Sequence, residues 1–517
     1  MAPPLYTTQS GRLWHAGQIL IMTVGLPGRG KTHLAHAIQR YLRWLGVRCQ
    51  VFNLANMRRD LLGSVKDLPA DYFGDGCRAE EETLALREQV TTKITEKIAA
   101  FFEDGGQVAV YDANNSTKER RSLIRERFEK ELNVQIMFVE CLCDDPKIVE
   151  RNIRSMHRFN PDYRGWKLED VKKHFSDRIS RHEMDYQPID TTTAAHIQLH
   201  NFGQRVVVNN VKGYLQNRIV FFLMNMHNED RTIYFARAGE ALIEHLYKAD
   251  AELSSLGHEY AQRLCEFMMM RRSHDNAVDE DKPTLSQEHT VSYISSHDEN
   301  DVPFEFEETE REFQVWCSTR KRSENTAAPF RDYDVRIIEW SRLAEMNPGV
   351  VDGMSEEEIL SRFPKYHEEQ KKDPYTFRFP RAESYHDLAI RLEPVILELE
   401  RVRKDVLIIA QSSVLRCLIA YLQGNKPTEI PFIQVREGDL VEVHPQAFGV
   451  ATRVYSFWNP EKEREKRDIE FATRAAMAIA QQRAEKERQS KVGQEEEDLE
   501  SSTVTEMAAQ MEKTISL

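Results

Sequence analysis

Apolar and polar positions in the N-terminal part of the chain predict strands that alternate with helices. The segment from Gln18 to Leu26, QILIMTVGL, is short, apolar and rich in branched residues, which is typical of a buried strand. From Lys31 the apolar residues recur at helical spacing until Gly46, a common helix stop. Further apolar segments predict strands at residues 49–54, 107–112 and 134–140. This order favours an α/β domain with a parallel, doubly wound sheet over residues 1–215.

A second α/β domain is predicted over residues 231–458. Its first strand is expected at residues 232–237, where an apolar run ends in a small turn. Another strand, VLIIA, is expected at residues 406–410, and the apolar pattern of the segment that follows it, SVLRCLIAYLQG, indicates a helix. Strands followed by helices again predict a layered α/β arrangement.

Two regions lack this regular pattern. Residues 271–311 are acidic and rich in serine, with little periodicity, so we expect a disordered insertion within the second domain. Residues 459–517 are dense in Glu, Lys, Arg, Gln and Ala, which predicts a charged tail that is partly helical and partly disordered.

Composition narrows the class of protein. The 517 residues are 41% hydrophobic and 30% charged, which is typical of a globular protein with two or three domains. The formal net charge of −14 argues against general binding to nucleic acid or to a membrane surface, because both need dense positive charge. The 7 cysteines contain no CxxC pair, so neither a zinc site nor a disulfide framework is expected. No signal peptide and no membrane-spanning run is recognisable, so we expect a cytoplasmic protein.

A phosphate-binding loop is the strongest chemical signal. GLPGRGKT follows the first strand, opens the first helix and matches GxxxxGK[ST], in which backbone N–H groups cradle phosphates. The strand VAVYD ends in a carboxylate, where a second-strand acid would hold the water shell of a magnesium ion. The predicted ATP-binding residues are Gly25, Gly28, Arg29, Gly30, Lys31 and Thr32. Lys31 and Asp112 are the predicted catalytic residues, and Thr32 and Asp112 the predicted Mg²⁺ ligands.

The acceptor of the phosphoryl group is less clear from the residues alone. If it is itself phosphorylated it needs positive charge, and the chain offers several arginines on predicted helices. Any one of them is more typical of a solvated surface arginine than of a ligand contact. The candidates are Arg58, Arg59, Arg87, Arg120, Arg121, Arg178 and Arg181.

Taken together, the motifs resemble a known enzyme family. GLPGRGKT, MRRD, VYDANNSTKERR, FVECLCDDP, NPDY and YLQNRIVFFLMNMH occur in the order and spacing of 6-phosphofructo-2-kinase/fructose-2,6-bisphosphatase. In the second domain LSSLGHEYA, RFPRAESYHDLAIRLEPVILELER and VLRCLIAYL are also similar, so the resemblance covers about residues 15–458 apart from the insertion. It implies a P-loop kinase domain that phosphorylates the 2-hydroxyl of fructose 6-phosphate with ATP, followed by a histidine-phosphatase-like α/β domain. A homodimer is left open.

The same resemblance implies roles for individual residues of the first domain. Arg58 or Arg59, together with Arg87, Ser116 and Arg178, would hold the sugar phosphate, while Lys31, Thr32 and Asp112 serve ATP and Mg²⁺. This agrees with the chemistry, since phosphoryl transfer depends mainly on positioning and charge neutralisation. Three positions depart from the family: Asn114 replaces a threonine, His157 a lysine and His182 a tyrosine.

The second domain has lost the group on which histidine phosphatases depend. In the stretch IYFARAGE, Ala238 stands where the family has its nucleophilic histidine, and alanine cannot attack phosphorus. Gln411 stands at the second active-site histidine, and Glu244 places a carboxylate where phosphate should bind. The family's remaining phosphate-binding and acid positions are still filled, by Arg237, Arg322, Glu345, Arg378 and Arg416.

We therefore predict an ATP-dependent 6-phosphofructo-2-kinase whose phosphatase-like domain is inactive. A non-catalytic regulatory protein that binds ATP or sugar phosphates is the alternative, and the departures at Asn114, His157 and His182 motivate it. An active bifunctional enzyme is least compatible with the sequence, because neither expected phosphatase histidine is present.

Overall fold

The computed structural model describes most of the chain between residues 17 and 474. The described residues are 17–69, 71–73, 80–190, 195–227, 229, 231–242, 250–274, 311–446 and 449–474, and the single positions 477, 481, 503, 504 and 507. The chain forms two compact units, residues 1–458 and residues 459–517. In the second unit, residues 460–474 are helical.

The first sheet has six strands in the order β2-β3-β1-β4-β5-β6. All pairs are parallel except β5 and β6, which form an antiparallel pair at one edge. Every residue of β1 is buried, as expected for a central parallel strand that is covered on both faces. The strands are β1 Ile19–Val24, β2 Cys49–Asn53, β3 Val108–Asp112, β4 Gln135–Leu142, β5 His196–His200 and β6 Arg205–Asn209.

Helices cover both faces of this sheet, and three of the seven begin at a residue whose side chain caps the first turn. Asn53, Thr117 and Asp145 each accept a backbone N–H in the first turn of the helix that follows. The helices are α1 Lys31–Trp44, α2 Leu54–Leu62, α3 Glu81–Glu103, α4 Lys118–Arg125, α5 Pro146–Phe159, α6 Leu168–Asp185 and α7 Tyr214–Asn225. The predicted doubly wound α/β fold is confirmed, although the antiparallel edge strand β6 was not predicted.

The second sheet also has six strands, in the order β12-β11-β7-β10-β8-β9. β7, β10, β8 and β9 are parallel, and β11 and β12 extend the sheet as an antiparallel pair beside β7. The strands are β7 Ile233–Arg237, β8 Phe313–Ser318, β9 Arg336–Trp340, β10 Asp405–Ala410, β11 Asp439–Gln446 and β12 Gly449–Ser456. The helices are α8 Ser255–His274, α9 Lys321–Ala327, α10 Glu356–Arg362, α11 Pro364–Lys372, α12 Tyr385–Arg401 and α13 Ser412–Gln423.

The first residues of the predicted acidic insertion are helical. Residues 271–274 belong to helix α8, where Arg272 donates to Asp405 at 2.8 Å, so the expectation of disorder from residue 271 is wrong at that end. Arg311, at the other end, lies 3.5 Å from the same carboxylate. Residues 275–310, which carry the rest of that expectation, lie outside the described residues.

The two sheets share one hydrophobic core through helix α1. Ile38 and Leu42 of α1 belong to the same buried cluster as Leu415 and Leu422 of α13. Trp44 meets the ring of Tyr421 edge-on, with 5.7 Å between ring centroids. The helix that starts at the phosphate-binding loop therefore also packs against the second domain.

A buried ion cluster reinforces this contact. The carboxylate of Glu400 on α12 lies 2.7 Å from Arg40 of α1 and 3.2 Å from Arg231, and it accepts the hydroxyl of Tyr421 at 2.6 Å. The two guanidinium groups are the main reason that the pKa of Glu400 is held at about 2, against the effect of its burial. One carboxylate thus joins the first helix of one domain to the second domain.

Candidate active site

The glycine-rich loop between β1 and α1 needs its glycines for steric reasons. A side chain at Gly25 would place its Cβ 2.6 Å from the carbonyl oxygen of Cys141, and one at Gly30 would collide with the ring of Phe202. Gly28 and Gly30 have φ angles of 75° and 74°, which L-residues rarely adopt. No side chain caps the first turn of α1, so its backbone N–H groups face the loop, where an anion is favoured.

Lys31 is the buried cation of this loop. Its side chain is 7% exposed, and Nζ donates to the carbonyl oxygen of Leu26 at 2.6 Å. Burial lowers the pKa of Lys31 to about 8, while the charge of Asp112 works against that shift. An ammonium group that is weakly solvated and faces a cavity is suited to meet the β- and γ-phosphates of a nucleotide.

Asp112 is held rigidly at the end of β3. Asn53, its register partner on β2, donates to Oδ2 at 2.5 Å, and the hydroxyl of Thr23 on β1 lies 3.4 Å from Oδ1. The carboxyl group is 3% exposed and lines the same cavity as Lys31. Neighbouring parallel strands therefore fix this carboxylate opposite the phosphate-binding loop.

The oxygen atoms at the loop suit a divalent cation that is coordinated mainly by phosphates and water. The hydroxyl of Thr32 and the carboxylate of Asp112 both line the cavity, and Mg²⁺ prefers such oxygen donors. Within the described ranges, no group of three or more His, Cys, Asp or Glu side chains could hold a metal ion.

The predicted acceptor residues converge on the other side of this cavity, whose volume is about 1130 Å³. Arg58 is 3% exposed and forms two hydrogen bonds with the carboxylate of Asp162. The guanidinium of Arg178 lies 4.2 Å from the ring centroid of Phe73 and donates to the hydroxyl of Tyr163 at 3.1 Å. Of the predicted acceptor residues, the cavity is lined by Arg58, Arg87, Ser116, Arg120 and Arg178.

Arg59 is oriented differently. It donates to Asp162 at 2.8 Å and to the side-chain oxygen of Asn160 at 3.3 Å, and it is absent from the cavity lining. The resemblance left open whether Arg58 or Arg59 holds the sugar phosphate. Arg58 lines the cavity, whereas Arg59 supports Asp162 through a hydrogen bond.

Two of the three departures from the family contact each other. Asn114 Nδ2 lies 3.3 Å from His182 Nε2, and both residues line the cavity. Burial, followed by the positive charges of Arg178 and Lys31, lowers the pKa of His182 to about 3. His182 is thus a neutral hydrogen-bonding group beside the cationic residues of the site.

The third departure, His157, faces away from the cavity. Its Nε2 lies 2.9 Å from the carbonyl oxygen of Trp166, and His157 is not part of the cavity lining. The imidazole of His157 therefore does not contribute to the cavity that contains the other two departures.

A second polar site lies where the strands of the other sheet end. Ala410 of β10 is the register partner of Arg237 on β7, and the N–H of Ala238 donates to the carbonyl oxygen of Ala410 at 3.1 Å. Ala238 and Gln411 therefore follow directly on two paired strands. The predicted pair of lost histidine positions is brought together at one edge of the sheet, with no imidazole at either.

The other residues predicted for this site differ in their contacts and in their exposure. Arg322 lies 3.7 Å from Glu345, and Arg416 donates to the hydroxyl of Tyr385 at 2.9 Å. The side chain of Arg378 is 64% exposed and pairs with Asp387 at 3.3 Å. Glu244, predicted to repel phosphate, lies outside the described residues.

Sequence reasoning missed the residues that hold the site together. Asn53 and Thr23 fix Asp112, and Asp162 fixes Arg58, yet none was predicted as a site residue. Asp162 lies in NPDY, one of the motifs that carried the resemblance, so it could have been predicted as a site residue from that motif. Asn53 and Thr23 have no motif, since they meet Asp112 only through the register of three strands.

The first site and the two sheets define the class of protein. A strand, a glycine-rich loop and a helix that begins with Lys31 and Thr32 form a P-loop, and the carboxylate of Asp112 faces it from a neighbouring strand. Arginines complete a cavity suited to phosphorylated ligands. The chain is a P-loop α/β protein of the kinase type joined to a second α/β domain. None of the helices in the described part of the chain has the length and apolar character that a membrane crossing requires.

Similarity to known proteins identifies the family of this chain. A 6-phosphofructo-2-kinase profile matches residues 6–230, and a histidine phosphatase superfamily (branch 1) profile matches residues 305–456. A Saccharomyces cerevisiae protein, provisionally named 6-phosphofructo-2-kinase/fructose-2,6-bisphosphatase, is 37% identical over 445 residues, which cover 85% of this chain and 83% of that protein. The Gallus gallus protein of that name is 33% identical over 436 residues, 83% of each chain. The chain belongs to the 6-phosphofructo-2-kinase/fructose-2,6-bisphosphatase family, as its motifs predicted.

Proposed function

We propose that the protein is an ATP-dependent 6-phosphofructo-2-kinase that makes fructose 2,6-bisphosphate from fructose 6-phosphate. The observation that carries this proposal is the convergence of Lys31, Asp112 and Arg178 on one cavity. The pKa of Lys31 responds to the charges of both other residues, which indicates that the three groups lie within electrostatic reach of one another.

The residues divide into three tasks. The N–H groups of the glycine-rich loop and the ammonium of Lys31 bind the ATP phosphates and neutralise charge that develops during transfer. Arg58, Arg87 and Arg178 hold the 6-phosphate of the acceptor, because guanidinium groups match phosphate geometry. Asp112, fixed by Asn53 and Thr23, orients the attacking 2-hydroxyl and serves as the carboxylate toward the metal.

A bound Mg²⁺ would supply charge neutralisation on the phosphate oxygens. We assign its protein contacts to Thr32 and Asp112, whose oxygens line the cavity.

We further propose that the second domain does not hydrolyse fructose 2,6-bisphosphate. Hydrolysis by a phosphohistidine route needs an imidazole nucleophile, and Ala238 has only a methyl group. Gln411, beside it at the strand ends, cannot replace an imidazole as a nucleophile either.

The alternative is a non-catalytic protein that binds ATP or sugar phosphates. It draws support from His157, which replaces a lysine of the family and is directed at Trp166 rather than at the cavity. This replacement reduces positive charge relative to the family pattern, whereas His182 is neutral like the tyrosine that it replaces.

One assay separates the two proposals. Purified full-length protein is incubated with ATP, Mg²⁺ and fructose 6-phosphate, and fructose 2,6-bisphosphate is quantified against the Lys31→Ala variant. We expect product from the wild type at a rate far above the variant. Binding of ATP without product, at a rate equal to Lys31→Ala, would support the non-catalytic alternative instead.

A further inference from the structure

We propose that Arg121 is a positioning residue that fixes the loop between β3 and α4 in the shape that the acceptor needs. This loop, here called the acceptor loop, comprises residues 113–117 and follows directly on Asp112. All five of its residues line the cavity at the P-loop. The inference rests on the proposed function, because it takes fructose 6-phosphate as the acceptor.

The guanidinium of Arg121 is bound to backbone carbonyl groups. Nη1 donates to the carbonyl oxygens of Asn115 at 2.9 Å and of Ser116 at 3.0 Å, both in the acceptor loop. Nη2 donates to the carbonyl oxygens of Gln187 at 2.9 Å and of Pro188 at 3.3 Å. Arg121 is 6% exposed and is not part of the cavity lining. Although the sequence made it a candidate for the acceptor phosphate, this arginine therefore holds the protein's own backbone.

The segment after helix α6 is the other partner of this contact. The N–H of Gln187 donates to the carbonyl oxygen of Ser116 at 3.0 Å, which adds to the link through Arg121. Tyr186, the preceding residue, donates to the buried carboxylate of Glu140 on β4, so the segment is anchored in the first sheet. Helix α6 also carries Arg178 of the acceptor site. Arg121 thus joins the two parts of the chain that supply groups to the acceptor.

The backbone of the acceptor loop depends on such a donor. Asn115 has a φ angle of 46°, in the left-handed region, and is 2% exposed. Its Nδ2 atom donates to the carbonyl oxygen of Thr23 at 2.8 Å, while its own carbonyl oxygen accepts from Arg121. Loss of the donor to a buried carbonyl group is costly, and here the backbone is already in an unfavourable conformation. Removal of Arg121 should therefore let the loop rearrange.

The shape of the guanidinium matters as well as its charge. Burial is the main cause that lowers the pKa of Arg121, and the negative charge of Glu140 opposes that shift. Arginine remains protonated in proteins, and its planar fork of donors can reach carbonyl groups on two segments at once. A lysine would keep the charge, but its single ammonium group cannot span all four oxygens. Arg121→Lys should therefore preserve the loop only in part.

The test measures two ligand affinities by calorimetry in full-length protein. A non-hydrolysable ATP analogue with Mg²⁺ is titrated first, and fructose 6-phosphate is then titrated in its presence. In Arg121→Ala we expect the affinity for fructose 6-phosphate to fall by about tenfold to a hundredfold, because a small displacement of positioning groups is costly. The affinity for the analogue should change by less than about threefold, because the P-loop has its own supports. Lys31 donates to Leu26 at 2.6 Å, and Asn152 donates to the carbonyl oxygen of Gly28 at 2.8 Å.

Arg391→Ala is the matched control. Arg391 on α12 of the second domain also donates to backbone carbonyl oxygens, those of Arg342 at 2.7 Å and of Ala344 at 3.0 Å, and it does not line the cavity. We expect this variant to lower the melting temperature, as Arg121→Ala does, but to leave the affinity for fructose 6-phosphate unchanged. The affinity of Arg121→Lys should lie between those of the wild type and Arg121→Ala.

Other outcomes would overturn the proposal. These are an affinity of Arg121→Ala for fructose 6-phosphate equal to that of the wild type, an equal loss of affinity for both ligands, or an equal loss in Arg391→Ala. If Arg121→Ala fails to fold, Arg121→Lys takes its place, and wild-type affinity in that variant would contradict the proposal. A wild type that binds fructose 6-phosphate in an Arg121-dependent manner but forms no product would refute the proposed function and leave this inference standing.

Discussion

In both sheets a candidate site lies at the carboxyl ends of parallel strands, but the residues at the two sites differ. We call the site at the P-loop the first edge and the site after β7 and β10 the second edge. At the first edge, a glycine-rich loop, Lys31 and Asp112 face one cavity. Asp112 is held by Asn53 on the adjacent strand, and Lys31 donates to Leu26 within the loop. At the second edge, Arg237 and Arg416 are present, and Ala238 and Gln411 occupy the two positions at which the family resemblance predicts histidines. Both edges are formed by the carboxyl ends of parallel strands.

The proposed function implies that binding groups and reacting groups can be lost separately. The fold needs buried apolar strands, and it is indifferent to whether the residue after β7 is histidine or alanine. Ala238 is buried beside Tyr260 in the hydrophobic cluster of the second sheet, where its small side chain is well accommodated. Under the proposed function, the second domain keeps its architecture and its arginines without a nucleophile.

The largest expected effect comes from Lys31→Ala at the first edge. Removing the ammonium that meets the ATP phosphates should lower kcat by about a thousandfold or more. Steady-state kinase assays with fructose 6-phosphate measure this, and Lys93→Ala, an exposed lysine paired with Glu96, is the control. Turnover near the wild-type rate would show that this loop is not the catalytic one.

Glu400→Gln tests the contact that joins the two regions. Loss of the carboxylate leaves Arg40 and Arg231 buried without their counter-charge, which should reduce the free energy of unfolding by about 3–5 kcal/mol. Urea denaturation measures the change. Glu398→Gln on the same helix removes an exposed ion pair with Arg401 and should cost no more than about 1 kcal/mol. If the two variants lower the free energy of unfolding equally, the buried cluster stabilises the protein no more than an exposed ion pair does.

The pH dependence of the kinase should report Lys31. Burial lowers its pKa from 10.5 to about 8, so the free enzyme loses the ammonium charge as the pH rises above 8. The value of kcat/KM for ATP should be level below that pH and fall by about tenfold per unit above it. Because the pKa of His182 is lowered to about 3, this residue should add no inflection between pH 5 and pH 7. In Lys31→Arg the decline should move beyond the accessible range, since arginine stays charged.

His157→Lys should have a small effect. The imidazole is directed at the carbonyl oxygen of Trp166 and does not line the cavity, so a lysine there should change kcat by less than about threefold. The kinase assay at saturating substrates measures this. A rise of tenfold or more would show that the lysine turns into the cavity and that the position belongs to the site after all.

The smallest expected change is at the second edge. Ala238→His should produce no measurable release of phosphate from fructose 2,6-bisphosphate, because groups that act as a unit are not recovered singly and Gln411 remains. The double variant Ala238→His/Gln411→His is the matched comparison. Activity in the single variant would mean that one imidazole suffices at this edge.

The sequence predicted the parts of the fold that have strong local signals. β1, β3 and β10 are continuous apolar runs, and the loop before α1 has a recognisable motif. The hairpin of β5 and β6 was not predicted, because a short segment such as HIQLH mixes polar and apolar residues and gives a weaker signal than a continuous apolar run. Likewise, arginines 271 and 272 looked like the start of a disordered acidic segment, yet they end a helix whose contacts lie far along the chain.

The candidate site was predictable only where its residues lie in motifs. Lys31, Thr32 and Asp112 were found in this way. The pairing of Asn114 with His182 joins residues 68 positions apart, and Arg58 and Asp162 are separated by 104. Such contacts depend on strand register and helix packing, which periodicity in one sequence does not determine.

The central claim is that the first site transfers a phosphoryl group while the second site does not hydrolyse the product. Both parts can be tested in one sample. Phosphorus NMR follows full-length protein with ATP, Mg²⁺ and fructose 6-phosphate over time, and resolves fructose 2,6-bisphosphate, ADP and inorganic phosphate. We predict that fructose 2,6-bisphosphate and ADP appear together in equal amounts, and that the product then persists without inorganic phosphate forming from it. The account would be contradicted if no fructose 2,6-bisphosphate formed, or if it formed and was then converted to fructose 6-phosphate and inorganic phosphate.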